Sequence, residues 1–115
     1  MECREDLLEE ARELIISALK SYMLSNCKRT VSIAKLAGQK RIRMEFHGLF
    51  KHYTPSENFP RFMDGLRYVL TCAGLDEVKR LLRAQEVVPD EAYAVYSYDE
   101  YAKLCNEVYE EASAS

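Results

Sequence analysis

The side chains with the clearest chemistry in this chain are cations, and they gather around one stretch, TVSIAKLAGQKRIRMEFHGLFKHY, from Thr30 to Tyr53. From Lys28 to Lys51 there are seven basic residues, Lys28, Arg29, Lys35, Lys40, Arg41, Arg43 and Lys51, against the single acid Glu45. The rest of the chain sets nine basic residues against eighteen acids, so a formal net charge of −3 conceals a segment of +6 inside a remainder of −9. Most charge runs only solvate a helix face, but a run this one-sided is the electrostatic footprint of a polyanion site. His47 and His52 add positive charge at lower pH, because histidine titrates near neutrality.

The other reactive residue types lead to less. His47 and His52 lie five apart, not the four that stacks two ligands on one helical turn, and no acidic cluster adjoins them, so no metal is expected. Cys3, Cys27, Cys72 and Cys105 form no Cys-x-x-Cys pair and no zinc framework. The first residues, MECREDLLEEARE, are charged from the second position and carry no export signal. The expectation is an intracellular, cytoplasmic protein with reduced thiols packed as small apolar groups; a hyperthermophile source would make disulfides plausible instead. A Gly-rich phosphate loop, a nucleophile elbow and a paired-carboxylate signature are all missing, so the chain is not read as an enzyme and no cofactor is expected. Apolar runs are only a few residues long, which argues against a membrane span.

With 115 residues, 48% of them hydrophobic and 30% charged, the chain reads as one globular domain over 1–115. Leu7, Leu8, Ala11, Leu14, Ile15, Ala18, Leu19, Tyr22 and Met23 recur at three- and four-residue spacing and predict an amphipathic first helix. Ser25 and Asn26 loosen that pattern, and Thr30 caps a short second helix that ends near Gly38. Ile42, Phe46, Leu49, Phe50 and Tyr53 mark a third helix, Arg41–Tyr53. Thr54–Pro60 is a turn-rich break with Asn58 as a cap and Pro60 at the first helical position. Phe62, Met63, Leu66, Val69, Leu70 and Ala73 line the next helix, which stops at Gly74. EVKRLLRAQEVV and AYAVYS then flank the turn signal Pro89-Asp90-Glu91. The second arm reads as a strand, the first as either a strand or a helix continued through Lys79 to Arg83. Tyr98, Tyr101, Cys105, Val108 and Ala112 outline a terminal helix.

This order, together with SIAKLAG (Ala34 four residues before Gly38) and the Ala73-Gly74-Leu75 step after FPRFMDGLRYVLTC, resembles the winged helix-turn-helix superfamily of small prokaryotic, archaeal or viral regulators. Small Ala34 would let a second helix cross closely, and Gly38 would permit a left-handed turn. The resemblance covers about Leu14 to Leu104. It implies a mainly α fold, a helical bundle with one small β-hairpin and a C-terminal helix. It further implies a transcriptional regulator that binds double-stranded DNA as a homodimer.

Two reading helices remain open. If SIAKLAG supports, RIRMEFHGLFKHY enters the major groove, with Arg41, Arg43 and His47 on bases and Lys40 and Lys51 on phosphates. If MEFHGLFKHY supports, SENFPRFMDGLRYVL enters, and Ser56, Asn58, Arg61 and Arg67 read. In that arrangement Lys40 and Arg41 flank, and Arg80 or Arg83 reaches out from the wing. Lys28 and Arg29 complete the candidate nucleic-acid set. The competing functions are a protein-interaction adaptor on the same fold, whose partner supplies acids to Lys28–Lys51, and a single-stranded DNA or RNA binder that stacks bases on exposed aromatics. Phe46, Phe50, Tyr53, Phe59 and Phe62 are more simply read as core.

Overall fold

In the computed structural model, which describes residues 2–114, one helix sets the length of the molecule. Helix α1 runs from Glu5 to Ala37, 33 residues and about 50 Å at 1.5 Å per residue, against a longest dimension of 47 Å. Its apolar seam, Leu8, Ala11, Ile15, Ala18, Leu19, Met23, Cys27 and Ala34, is buried along the whole element. Glu5 and Asp6 occupy the first turn and Lys35 the last, as the helix dipole favours. Gly38 closes it in the left-handed conformation (φ 67°), the role predicted for this glycine.

The predicted break at Ser25–Asn26 does not occur, and Thr30 is not a cap. The Asn26 side chain donates to the Tyr22 carbonyl and the Thr30 hydroxyl donates to the Asn26 carbonyl. Both bonds run back four residues onto the helix's own backbone, so these polar residues are accommodated inside the helix. SIAKLAG is therefore the end of α1 and not a helix of its own.

Arg41–Tyr53 is not a single helix. Residues Arg41–Glu45 form strand β1, and only Phe46–Phe50 form a helix, α2. Arg41, Arg43 and Glu45 are exposed while Ile42 and Met44 are buried, a period of two that the letters R-I-R-M-E carry openly. Helix α3 then spans Phe62–Ala73, two residues later than Pro60 suggested. Its first turn is fixed by the Arg61 N–H donating to Asp64 Oδ2 and the Asp64 N–H donating to the Arg61 carbonyl. Gly74 (φ 91°) ends α3, and α4, Leu75–Leu82, follows directly. The hairpin has short arms, β2 at Glu86–Val88 and β3 at Tyr93–Ser97, joined by a 3-10 turn over Pro89–Glu91. Helix α5 runs from Tyr98 to Ala114.

The three strands form one antiparallel sheet in the order β1-β3-β2, with Arg43 opposite Val95 and Val87 opposite Ala94. Ile42, Met44, Val87, Ala94 and Tyr96 are buried on its inner side. Tyr96 is fully buried and donates its hydroxyl to the Leu82 carbonyl at 2.7 Å, joining β3 to the end of α4. Burial drives the Tyr96 phenol far above its ordinary pKa and pushes neighbouring Tyr101 up to about 12.

The thiols are not reduced. Cys3 is bonded to Cys72, and Cys27 to Cys105. Helix α5 returns antiparallel along α1, with Lys20 paired to Glu111 and Tyr109 hydrogen-bonded to the Leu24 carbonyl, and this brings Cys27 and Cys105 to a Cα separation of 5.7 Å. Spacing along the chain holds no trace of that approach. Disulfides are usual in oxidising compartments and in intracellular proteins of hyperthermophiles.

Candidate nucleic-acid interface

Between Glu13 and Glu45 the chain contains no acid, and the structure turns that stretch into the distal half of α1 and the edge strand β1. On the helix, Arg29, Ser32, Ile33 and Leu36 fall on the side away from buried Ala34 at the 3.6-residue period. Ile33 and Leu36 are 57% and 90% exposed, and Lys28 and Lys35 flank them. Past Gly38 the chain reverses through Lys40, whose carbonyl accepts from the Tyr98 N–H, and enters β1. Lys35, Lys40, Arg41 and Arg43 thus follow one another around the turn from α1 into the sheet. Among the described residues, the only acids that pair with these four cations are Glu86, with Arg41, and Glu45, with Arg43.

Each cation has a definite setting. The Lys28 ammonium lies 4.1 Å from the centre of the Tyr109 ring, and Arg29 donates to the Asn26 side chain. Lys35 and Lys40 have no ion pair or side-chain hydrogen bond among the described residues. Arg41 and Arg43 point to the outer face of the sheet. Arg41 reaches Glu86 at 3.4 Å across the sheet, while Arg43 pairs with Glu45 at 2.7 Å and lies 3.7 Å over the Tyr93 ring. Both ion pairs join side chains more than half exposed. Such exposed pairs contribute about 0–1 kcal/mol.

The remaining candidates lie elsewhere. His47 is exposed on α2 with its ring against Phe50, and Lys51 follows the same helix. Ser56 and Asn58 both donate to the Glu10 carboxylate of α1, at 2.7 and 3.1 Å, so these two donors hold a loop to the helix. Arg61 and Arg67 stand at the start and middle of α3, beside a cavity between that helix and α2. Arg80 and Arg83 do not lie on a wing: they belong to α4 and its C-terminal cap, because residues 75–82 are helical. Arg80 is paired with Glu77, and Arg83 with Glu107 of α5. Glu77 also takes the Arg12 guanidinium at 2.8 Å. Held by Arg80 and then Arg12, its carboxyl lies below the usual range, as does that of Glu107 beside Arg83.

Of the two predicted reading helices, RIRMEFHGLFKHY is instead a strand and a five-residue helix, whereas the second forms as α3, which buries Phe62, Gly65, Leu66, Tyr68 and Val69 against the core and leaves Arg61 and Arg67 exposed. The helix placed directly before the hairpin is α4, which begins with Asp76 and Glu77, and the hairpin tip carries Asp90 and Glu91. Among the described residues, no three of His, Cys, Asp and Glu come together as a metal-holding group, and no helix is long and apolar enough to cross a membrane. The chain matches no family model, no curated protein and no solved structure.

Proposed function

We propose that this chain is a double-stranded DNA-binding protein of the winged helix-turn-helix kind, acting in transcription, that holds the phosphate backbone with the end of α1 and the outer face of β1. The observation that carries the reading is the continuous acid-free run from Leu14 to Met44, in which Lys35 and Lys40 are unpaired among the described residues and Arg41 and Arg43 hold only exposed acids. A helix pair, α3 and α4, joined at Gly74 and leading into the β2–β3 hairpin supports the winged arrangement. The acids at the start of α4 and at the hairpin tip would be repelled by phosphate, so affinity comes from backbone neutralisation more than from base reading. A homodimer is part of the reading. Ile33 and Leu36 supply its apolar contact, and DNA phosphates relieve the repulsion between the cations that surround them.

Fluorescence anisotropy with a random duplex and a matched single strand, over a salt series, tests this. Each phosphate neutralised adds about −0.9 to the slope of log affinity against log salt, so Lys35, Lys40, Arg41 and Arg43 together predict about −3.6. The Lys35→Ala/Lys40→Ala and Arg41→Ala/Arg43→Ala double variants should each reduce the magnitude by about 1.8. Duplex affinity that is absent at low salt refutes the reading in favour of a protein-interaction adaptor. Preference for the single strand, insensitive to these variants, favours base stacking on aromatics.

A further inference from the structure

A cavity of about 430 Å³ lies between α2, the 51–61 loop and α3, outside the proposed DNA surface. That volume falls in the range of small-molecule sites. Its apolar walls include Phe50, Tyr53, Pro55, Pro60 and Met63, and its polar groups are Arg61, Asp64 and Arg67. Phe50 and Tyr53 each pack on the buried Phe62 ring at a centroid distance of 5.9 Å, which fixes these two rings at the cavity. Pro55 and Pro60 have no N–H and offer that space no donor.

The cavity is held open by the fold itself. Tyr53 donates its hydroxyl to the Phe59 carbonyl, and Ser56 and Asn58 tie the loop to Glu10 of α1. Buried Phe59 anchors the same loop against Tyr68 and Gly65. A loop pinned at three points presents its aromatic wall without an ordering step on binding. Phe50 nevertheless remains 41% exposed at the rim.

The polar groups specify the ligand's charge. Asp64 is taken by Arg61, through the backbone N–H at 3.0 Å and the guanidinium at 3.7 Å. The Arg67 side chain, one turn further along α3, has no ion pair or hydrogen bond among the described residues. The three groups sum to a single positive charge, with one guanidinium fork unoccupied. A fork of that geometry suits a carboxylate bidentately, and Asp64 disfavours a second negative charge on the ligand. We propose that this cavity is a binding site for a small planar aromatic monocarboxylate, its ring system against Phe50 and Tyr53 and its carboxylate on Arg67. The site is independent of the DNA-binding reading.

Titrating the intact, disulfide-bonded protein with 1-naphthylacetate, its neutral amide and 1-naphthyl phosphate tests the assignment, with binding followed by amide NMR shifts. The acid is expected to saturate with shifts confined to residues 50–67, and to bind at least about ten-fold tighter than the amide, the contribution of one charge-assisted hydrogen bond. Arg67→Met should bring the acid down to the affinity of the amide while Tm is unchanged, and Phe50→Ala should weaken both. The proposal is overturned by no saturation up to about 10 mM, by equal affinity for acid and amide, by shifts elsewhere, or by an Arg67→Met variant that binds like wild type. Tighter binding of the phosphate than of the acid overturns the monocarboxylate class.

Discussion

Removing the Cys27–Cys105 disulfide should lower stability more than any surface substitution, and the size of the effect follows from the chain it closes. The bond spans 78 residues and joins two helices that are packed along each other. In the chain-entropy treatment, a loop of that length restricts the unfolded ensemble by about 15 cal/mol/K, or about 4.5 kcal/mol at 25 °C. A domain of this size has a total stability of about 5–15 kcal/mol, so one bond accounts for a large fraction of it. Taking about 2.1 cal/mol/K per residue for the unfolding entropy, the same loss lowers Tm by about 19 °C. The variant to use is Cys27→Ala/Cys105→Ala, because both positions are buried and serine would place hydroxyls there without partners. Guanidinium melts should show a lower midpoint together with a steeper m-value, since the freed chain exposes more surface when unfolded. In the wild type, a thiol assay under denaturing, non-reducing conditions should find no free cysteine. A Tm drop below about 5 °C, or an unchanged m-value, would refute the claim that the bond acts by restraining the unfolded chain.

Tyr96→Phe should cost about 1–2 kcal/mol in a denaturant melt, because the buried Leu82 carbonyl loses its donor. Glu77→Gln should be less stable than wild type at pH 7. Its carboxyl is depressed in the folded protein, so the stability it provides is complete above the usual carboxylate range and lost as pH falls through the lowered folded value. The gap between the two proteins should therefore close in acid, and a gap that widens on acidification would contradict the assignment. Gly48→Ala places a methyl 2.6 Å from Tyr22 Cε1, and the predicted outcome in a thermal melt is a net loss of about 1 kcal/mol or more, despite alanine's better helix propensity. Leu36→Gln, at a position 90% exposed, should leave stability within about 0.5 kcal/mol and weaken DNA-dependent dimerisation measured by sedimentation.

Periodicity and local chemistry were legible in the sequence wherever a structural element answers to its own residues. The seam of α1, the stop signals at Gly38 and Gly74, the hairpin around Pro89-Asp90-Glu91 and the stripe of α5 all come from side-chain spacing and backbone freedom that a short window contains. The basic segment was equally plain, since charge is a property of composition. The alternation of R-I-R-M-E was present too, but the helical stripe running on to Tyr53 masked it. What made it a strand was the partner β3, with Arg41 opposite Ser97 and Glu45 opposite Tyr93.

Only the tertiary structure decided the rest. It carried α1 through Ser25–Asn26, because a buried seam on both sides outweighs local polarity. It paired cysteines 69 and 78 residues apart, which no spacing rule foretells. It also divided the candidate cations: Arg80 and Arg83 went into ion pairs with Glu77 and Glu107, Arg61 and Arg67 to the mouth of a cavity, and Lys35, Lys40, Arg41 and Arg43 to one turn of the surface. Sequence specifies which charges a chain owns, but which of them face solvent unpaired depends on contacts between residues far apart in the chain, and those exist only once the core has closed.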